Sequence, residues 1–512
     1  MVNNSRTGKS IRNLIFALGG QGIGVLLSMI SRVYFVKYLS VEYVGLSGLF
    51  SNILTMLSLA ELGIGPAMTY SLYKPLAEKD IEKIKSLMHL YKVLYRIVGI
   101  TVFALGFIMM PFYRFLIKEV PDISNLDLIF FLYVANTGVS YFYSYRRSLV
   151  EADQNRYISV CFQYLFMAIM NVLQIIELII FKSFVGYMII QVATTWIQNV
   201  CLAIYAGKKY PFLNGKECKK VPPEDLREIK RNVGAMIFHK VGSMVVLSTD
   251  NILISRMLGL ASAGLFANYD MITKTLNNVL YQVFNSIVAS VGNLNASSDK
   301  HHISTVFKRV FFLDFWIYGF SSICLYILFN PFITIWIGEE YLLSDFVVIT
   351  LVVKFYLYGM LKAVRTFRDA AGLYYADRYK PLFEMVINLV ASILLVYKFG
   401  LAGIFIGTII STLTTCFWVE PWILYKNCLD EKLSSYFIQW IKYAIYTVIA
   451  GGITERICSL VHSTVLVELI IKGALCAVIP NIIFIIFTFR SEELHYFVNI
   501  VFGFLKKKGK KK

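Results

Sequence analysis

The chain has 512 residues, of which 57% are hydrophobic and 16% are charged, and its formal net charge is +18. Together with a mean hydropathy of +0.63, this composition lies outside the range of soluble domains and excludes a string of ordinary soluble domains. We therefore predict an all-α polytopic membrane protein.

Apolar runs of about twenty residues, the length that crosses a bilayer, recur from one end of the chain to the other. The first run is too long for a signal-peptide core and lacks a cleavage site, so it is predicted to be retained. The first six helices are predicted at 14–36, 44–72, 87–110, 126–145, 158–181 and 184–206. A polar stretch, 207–231, follows them and is predicted to be a cytoplasmic linker.

Eight more apolar runs follow the linker, which brings the predicted number of transmembrane helices to about 14. They lie at 233–258, 261–294, 306–329, 345–364, 381–397, 401–425, 437–458 and 465–489. We predict a six-helix N-lobe over 1–206, the linker over 207–231, and a pseudo-symmetric six-helix C-lobe over 232–425. Two appended helices over 426–490 and a basic cytoplasmic tail over 491–512 complete the predicted order.

Two short sequence echoes indicate that the two lobes arose by duplication. The sequence SGLFSN, Ser47–Asn52, returns as AGLFAN, Ala263–Asn268, and RRSLVEADQNRY, 146–157, is answered by RTFRDAAGLYYADRY, 365–379. Internal repeats of this kind are typical of transporters, which hold the substrate between the halves and expose it to each side in turn.

Basic residues lie mainly in alternate loops, including 74–85, 146–156, 207–231 and 365–380. The positive-inside rule then places both termini in the cytoplasm, in a multi-pass protein of the cytoplasmic membrane. Because the basic residues are dispersed over short loops, nucleic acid is not predicted as a partner. The lysine-rich tail, Lys506–Lys512, is predicted to lie against anionic membrane lipids.

No pattern typical of a catalytic or metal site is present, and the protein is not predicted to be an enzyme. The eight cysteines form no C-x-x-C pair, and the six histidines form no H-E-x-x-H motif, so neither a disulfide nor a metal site is expected. The sequence GGQGIG, Gly19–Gly24, lies inside the first apolar run with no strand before it. Close helix packing or a kinked helix is therefore favoured over phosphate binding.

Charged side chains within the predicted spans are the best candidates for function, because each must find a partner or face a water-filled cavity. Arg32 and Arg256 lie near helix ends, where snorkelling to the membrane surface is an open alternative. Two acid–base pairs are spaced i,i+4, Asp270 with Lys274 and Glu468 with Lys472, so each pair is able to neutralise itself along one helix face. The candidates that concern us most are Arg32, Arg96, Arg256, Lys274 and Lys354 among the bases, and Glu61, Asp250 and Asp270 among the acids.

Two segments carry a resemblance to a known family. The stretch from Arg32 to Asp80, which contains LAELGIG, and the stretch from Ser248 to Leu280, which contains STDNILISRMLG, resemble Wzx-type flippases of polysaccharide biosynthesis. That family shares a superfamily with MATE drug exporters and lipid II flippases. The resemblance implies a MATE-like, V-shaped pair of lobes that carries undecaprenyl-pyrophosphate-linked oligosaccharide repeat units from the cytoplasmic to the outer leaflet by alternating access.

For such a substrate, the five basic candidates are predicted to bind the pyrophosphate, which needs cationic partners. Glu61, Asp250 and Asp270 are the candidates for ion coupling or gating, with sodium or a proton as the coupling ion and no other cofactor. The expected partners are a polyprenyl-pyrophosphate-linked glycan, membrane lipids and a polysaccharide polymerase or assembly complex. An ion-coupled exporter of organic cations with the same fold is the alternative. An oligosaccharide polymerase or ligase ranks below both, because no large outward loop is predicted.

Overall fold

The computed structural model describes residues 6–61, 64–119, 123–153, 155–214, 221–297, 300–371, 373 and 379–499. Within these ranges the protein is entirely helical, with 17 α-helices, four short 3-10 helices and no strand. This confirms the predicted fold class. The lysine-rich tail lies outside the described residues.

The chain forms two compact units, Met1–Ala267 and Asn268–Lys512, and the division falls within one long helix. The lobe and linker boundaries expected from the sequence stay a prediction. The first unit contains α1 (Arg6–Tyr38), α2 (Val41–Leu57), α3 (Ile64–Glu78), α4 (Ile81–Met109), α5 (Leu126–Ala152), α6 (Arg156–Ile180), α7 (Phe184–Lys209), α8 (Pro223–Met257) and the start of α9 (Leu260–Ser297).

The second unit continues from α9. Its helices are α10 (Lys300–Trp336), α11 (Asp345–Gly359), α12 (Lys362–Ala370), α13 (Lys380–Phe399), α14 (Leu401–Thr414), α15 (Cys416–Cys428), α16 (Leu433–Cys458) and α17 (Val465–Thr488).

Nine helical segments of the described chain are long and apolar enough to cross a membrane. They are Ile81–Met109, Leu126–Ala152, Arg156–Ile180, Phe184–Lys209, Lys300–Trp336, Asp345–Ala370, Lys380–Phe399, Leu401–Cys428 and Val465–Thr488. The protein is therefore a multi-pass membrane protein. Over its described residues each predicted span is largely helical, but the count of 14 stays a prediction.

Three of the predicted spans are broken rather than continuous. The second span is divided between α2 and α3 by the 3-10 helix Ser58–Glu61, just before the sequence Gly-Ile-Gly-Pro at 63–66. Proline has no backbone N–H to donate to the preceding turn, and glycine is a poor helix former, so a helix is easily interrupted here. The tenth span is broken between α11 and α12, and the twelfth between α14 and α15 at Thr415, whose φ is −123° and ψ −77°.

A buried carboxylate stabilises one of these breaks. Asp314 lies in α10 and is 0% exposed, and it accepts a hydrogen bond from the backbone N–H of Ala363. Ala363 is in the first turn of α12, where backbone N–H groups have no partner within the helix. Asp314 therefore satisfies one of the open N–H groups at the start of α12.

The glycine-rich run Gly19–Gly24 packs one helix against another. It lies within α1, and a Cβ at Gly20 would be 2.1 Å from a ring atom of Tyr164 in α6, while a Cβ at Gly24 would be 2.7 Å from the same ring. Gly22, by contrast, has no atom within 4 Å of such a Cβ. The run thus forms a contact surface for an aromatic ring, which confirms the helix-packing interpretation.

A second glycine contact brings α2 against the start of α9 within the first unit. A Cβ at Gly45 would lie 2.0 Å from the carbonyl oxygen of Leu260, and a Cβ at Gly264 would lie 2.2 Å from the carbonyl oxygen of Val41. Only glycine allows backbones to approach this closely. Gly264 belongs to the first sequence echo, so part of this echo serves helix packing.

In the second unit, α10 packs against α16 and α17 through aromatic rings. Phe315 of α10 lies 4.2 Å from Tyr443 of α16 and 4.7 Å from Phe484 of α17, measured between ring centroids. Phe315 and Phe484 are fully buried. The two C-terminal helices are thus part of the core of this unit.

Both sequence echoes fall at equivalent places along the chain. Ser47–Asn52 lies in the second predicted span and Ala263–Asn268 in the eighth. The segment 146–157 joins the fourth span to the fifth, and 365–379, whose residues 372 and 374–378 lie outside the described part, joins the tenth to the eleventh. A shift of six spans relates the members of each pair, as a duplication predicts.

Candidate functional site: charges within the helices

A buried ion cluster joins three helices of the second unit. Glu420 of α15 lies 2.9 Å from Nε of Arg365 and 3.4 Å from Nη1 of Arg368, both in α12, and also pairs with Lys380 at the start of α13. The side chain of Glu420 is 1% exposed and those of its three partners are 10–17% exposed. We refer to these four residues as the Glu420 cluster.

The Glu420 cluster is balanced by further contacts. Glu384, one turn along α13, lies 3.8 Å from Nζ of Lys380, and Arg368 pairs with Asp369 at 3.0 Å. Among the described residues, three bases therefore meet three acids, and the charges of these six side chains balance. We interpret the cluster as a structural contact that holds the three helices together, because an unpaired buried charge is strongly unfavourable.

The corresponding place in the first unit uses a different acceptor. Arg146, near the end of α5, donates from Nη1 to the carbonyl oxygen of Ala203 in α7 at 2.8 Å. Its neighbour Arg147 pairs with Glu151 of the same helix at 2.8 Å. In both units an arginine of the second echo thus contacts another helix: Arg146 joins α5 to α7, and Arg365 joins α12 to α15. The acceptor is a backbone carbonyl in the first unit and the carboxylate of Glu420 in the second.

At this same end of the first unit, Asp153 gathers several donors. It accepts a hydrogen bond from Tyr210 Oη at 2.8 Å and one from Asn155 Nδ2 at 2.7 Å. Burial and then the hydrogen bond to Asp153 raise the pKa of the Tyr210 phenol. Tyr210 therefore stays protonated and donates at neutral pH.

Glu61 belongs to a second polar group, at the break between α2 and α3. Tyr95 Oη of α4 donates to Glu61 Oε1 at 2.7 Å, and the hydroxyls of Tyr91 and Tyr95 are 3.3 Å apart. Tyr91 Oη also lies 2.9 Å from Ser148 Oγ of α5. A carboxylate at a helix break with a phenol as its donor has the chemistry of an ion-coupling or gating residue, and that role stays a prediction.

We expect Tyr95→Phe to lower the free energy of unfolding by about 1.5–3 kcal/mol, because it removes a hydrogen bond to a charged group. Thermal unfolding in detergent micelles measures the change. The control is Tyr143→Phe, at an exposed position of α5, which should leave the melting temperature unchanged. Equal melting temperatures for the two variants would contradict the proposed bond.

Two of the predicted basic site residues, Arg96 of α4 and Arg256 of α8, are exposed, and both belong to the first unit. Within the part of the chain that the structure describes, neither has an ion-pair partner. Their guanidinium groups are thus open to an anion or to lipid headgroups.

The other three predicted bases have partners. Lys274 pairs with Asp270 at 2.6 Å on α9 and its side chain is 61% exposed, as the i,i+4 spacing predicts. Arg32 lies over the ring of Phe35 at 5.8 Å, and Lys354 lies over the ring of Phe405 at 5.3 Å. Lys472 pairs with Glu468 on α17 in the same i,i+4 manner.

Asp250 lies in a buried polar stretch at the end of α8. It is 5% exposed, and Ser248, Asn251 and Ser255 of the same helix are buried as well. The backbone carbonyl of Ser255 accepts a hydrogen bond from the N–H of Lys118 at 3.1 Å. Lys118 follows the 3-10 helix Tyr113–Leu116, so this end of α8 is tied to the α4–α5 connection.

Glu420 was not among the predicted site residues, although its surroundings in the sequence indicated a charge in need of a partner. Glu420 lies in the apolar run CFWVEPWIL with no basic residue in the same helix within one turn, so it needed a partner from another helix. Arg365, Arg368 and Lys380 were interpreted only as loop residues that orient the protein. The described residues contain no group of His, Cys, Asp and Glu suited to a metal ion.

Comparison with known families now settles the classification. The family model "Polysaccharide biosynthesis protein" matches residues 10–291, which is more than half of the chain. The chain belongs to the polysaccharide biosynthesis protein family. Among curated proteins, none has a sequence that matches it.

Solved structures show the fold of this polysaccharide biosynthesis protein. The lipid II flippase MurJ in an inward closed conformation is similar with a TM-score of 0.67 at 11% identity, over 93% of this chain and 99% of MurJ. An inward-facing multidrug resistance MATE family transporter of the MOP superfamily gives 0.62 at 16% identity, over 79% and 94%. The Vibrio cholerae MATE transporter VcmN gives 0.56 at 14% identity, over 84% and 99%.

The polysaccharide biosynthesis protein thus has the fold shared by MurJ and the MATE transporters. The expected family and the MATE-like fold are confirmed. The transported glycan, the coupling ion and the individual site residues stay predictions.

Proposed function

We propose that this protein is a flippase that moves undecaprenyl-pyrophosphate-linked oligosaccharide repeat units from the cytoplasmic to the outer leaflet of the cytoplasmic membrane. The observation that carries the proposal is the match to the polysaccharide biosynthesis family, joined to a fold similar to that of a lipid II flippase. We infer alternating access as the mechanism, with both termini in the cytoplasm.

The charges of the first unit support an anionic cargo. Arg96 and Arg256 are exposed on helices, and exposed guanidinium groups bind phosphate oxygens through two parallel hydrogen bonds. We infer that they contact the pyrophosphate, with Arg32, Lys274 and Lys354 contributing further positive charge.

The energy source is proposed from the acids. Glu61 lies at a helix break with a tyrosine as its donor, and Asp250 is buried within α8. Interrupted helices and buried carboxylates are typical of coupling-ion sites in secondary transporters. We propose sodium or a proton as the coupling ion, with Glu61, Asp250 and Asp270 as the responding residues.

A second candidate function is ion-coupled export of organic cations. It is favoured by the similarity of fold to MATE transporters and by the same carboxylates, which attract cations. The two functions differ in the charge of the cargo, so the basic residues distinguish them.

The test is transbilayer movement of a fluorescent undecaprenyl-pyrophosphate oligosaccharide in proteoliposomes under an imposed sodium or proton gradient. Arg256→Ala should lower the initial rate about tenfold or more, which corresponds to roughly 1.4 kcal/mol or more. Lys274→Ala should lower it less, because Lys274 is already paired. The matched control is Lys398→Ala, an exposed base at the end of α13, which should leave the rate unchanged.

Asp250→Asn separates coupling from cargo binding. We expect it to abolish the response to the gradient. If no glycolipid moves under any gradient while organic cations are taken up, the exporter function replaces the flippase function. Equal rates for Arg256→Ala and Lys398→Ala would refute the role of Arg256.

A further inference from the structure

A pocket of about 250 Å³ lies in the first unit among the end of α3, the start of α4 and the start of α8. Its lining includes Tyr70, Tyr73 and Lys74 from α3, Lys83 from α4 and Asp225 from α8. None of these residues is among the site residues predicted from the sequence. The pocket is smaller than the roughly 300–1,000 Å³ of drug-sized ligand sites, so it suits one or two small rings.

Two largely exposed tyrosines, Tyr70 and Tyr73, line the pocket. Tyr70 is 63% exposed and Tyr73 is 52% exposed, although both lie on a helix whose opposite face, with Met68 and Leu72, is 0% exposed. The two rings meet edge to face, with centroids 6.4 Å apart. An open aromatic face with a hydroxyl at its edge binds a partner that is apolar on one side and polar around its rim.

The pocket contains three charged side chains, two of which form an ion pair. Nζ of Lys83 lies 3.0 Å from Oδ1 and 2.8 Å from Oδ2 of Asp225, which ties α4 to α8. Lys74 is only loosely paired, 4.0 Å from Glu78, and its side chain is 83% exposed. Carboxylate oxygens accept hydrogen bonds and ammonium groups donate them, so the pocket offers both to a ligand rich in hydroxyls.

From these contacts we propose that the pocket binds a sugar ring of the lipid-linked glycan. The C–H face of a pyranose packs on the ring of Tyr70 or Tyr73, while its hydroxyl groups bond to Asp225, Lys83 and Lys74. This proposal rests on the proposed flippase function and adds a glycan subsite to it. By the sequence-based orientation, the α3–α4 connection is cytoplasmic, so the subsite is on the side where the substrate is loaded.

The competing explanation is an interfacial belt, in which tyrosines and lysines merely anchor the helix at the membrane surface. The two explanations differ in what they predict for the glycan. An anchoring residue affects both lipids alike, whereas a sugar subsite affects only the lipid that carries a sugar.

The experiment measures the Kd of the full chain in nanodiscs for undecaprenyl pyrophosphate and for the same lipid bearing a tetrasaccharide of neutral hexoses. We expect the wild type to bind the glycan-bearing lipid more tightly. In the double variant Tyr70→Ala, Tyr73→Ala, the Kd for the glycan-bearing lipid should rise about tenfold while the Kd for the bare lipid stays within about twofold. Asp225→Asn should show the same selective loss.

Two control variants separate the subsite from the belt. Tyr70→Phe keeps the ring and should retain most of the preference for the glycan. Tyr397→Ala removes an 81% exposed tyrosine of α13 and should change neither Kd.

The outcomes distinguish this proposal from the proposed function. Equal losses for both lipids in the double variant, or no loss for either, would overturn the subsite while leaving the flippase function in place. Equal wild-type affinity for both lipids would do the same. Failure of the wild type to bind either lipid would overturn both.

Discussion

Glu420→Gln is expected to lower the free energy of unfolding by about 3–5 kcal/mol, the cost of removing one partner from a buried ion pair. The glutamine cannot neutralise Arg365, Arg368 and Lys380, which would then be left as like charges within one small, largely buried space. Because these residues join α12, α13 and α15, all three helices should loosen together. The measurement is thermal unfolding in detergent micelles, supported by the yield of monodisperse protein.

Two further variants make this test specific. Glu431→Gln breaks a single pair with Lys308, whose side chain is 50% exposed, and should cost no more than about 1 kcal/mol. Glu420→Asp keeps the charge and should recover part of the lost stability. If the Glu420→Gln variant were no less stable to thermal unfolding than the Glu431→Gln variant, the cluster would not hold the three helices together as its geometry indicates.

Gly45→Ala is expected to destabilise the first unit by about 1–3 kcal/mol, the usual cost of overpacking a close contact. The added methyl group would lie 2.0 Å from the carbonyl oxygen of Leu260. That oxygen belongs to the backbone and cannot rotate away, so α2 and the start of α9 must separate. Gly264→Ala should have a similar effect, since its methyl group would meet the carbonyl oxygen of Val41 at 2.2 Å.

The matched control for this prediction lies one turn away on the same helix. A Cβ at Gly48 has only Asn251 Oδ1 near it, at 4.0 Å, which is an ordinary contact. Gly48→Ala should therefore be neutral or gain up to about 1 kcal/mol from the better helix propensity of alanine. Comparing melting temperatures of the two variants cancels the propensity gain, because both sites lie in α2. Equal melting temperatures would show that the helices do not approach as closely as described.

Much of the fold is predictable from the sequence because a bilayer accepts few solutions. A backbone in hydrocarbon must satisfy its own hydrogen bonds, so an apolar run of about twenty residues becomes a helix. The positions of all predicted spans on helices follow from this constraint. The breaks between α11 and α12 and at Thr415 do not: α11 ends at Gly359, a single glycine that does not by itself mark a break, and no proline or glycine adjoins Thr415. The first of these breaks depends instead on Asp314, which comes from another helix.

The candidate site was less predictable, and the reason is pairing. Depth alone identified Glu61, Asp250 and Arg256 as charges in need of an explanation. The i,i+4 spacing identified the pair Asp270–Lys274, since both partners lie on one helix. Glu420 was missed because its partners are 40–55 residues away along the chain, in segments that also satisfy the positive-inside rule.

The sequence by itself determined the helical membrane fold and the resemblance that the family match confirms, and it predicts a duplication. These properties depend on composition, on local periodicity and on short sequence motifs, all of which can be recognised in the sequence alone. Only the tertiary structure decided which charges are paired, which glycines carry a helix contact, and which tyrosines remain open beside a pocket. Each of those depends on atoms from separate helices meeting within a few ångströms, and the order of residues along the chain does not contain that distance.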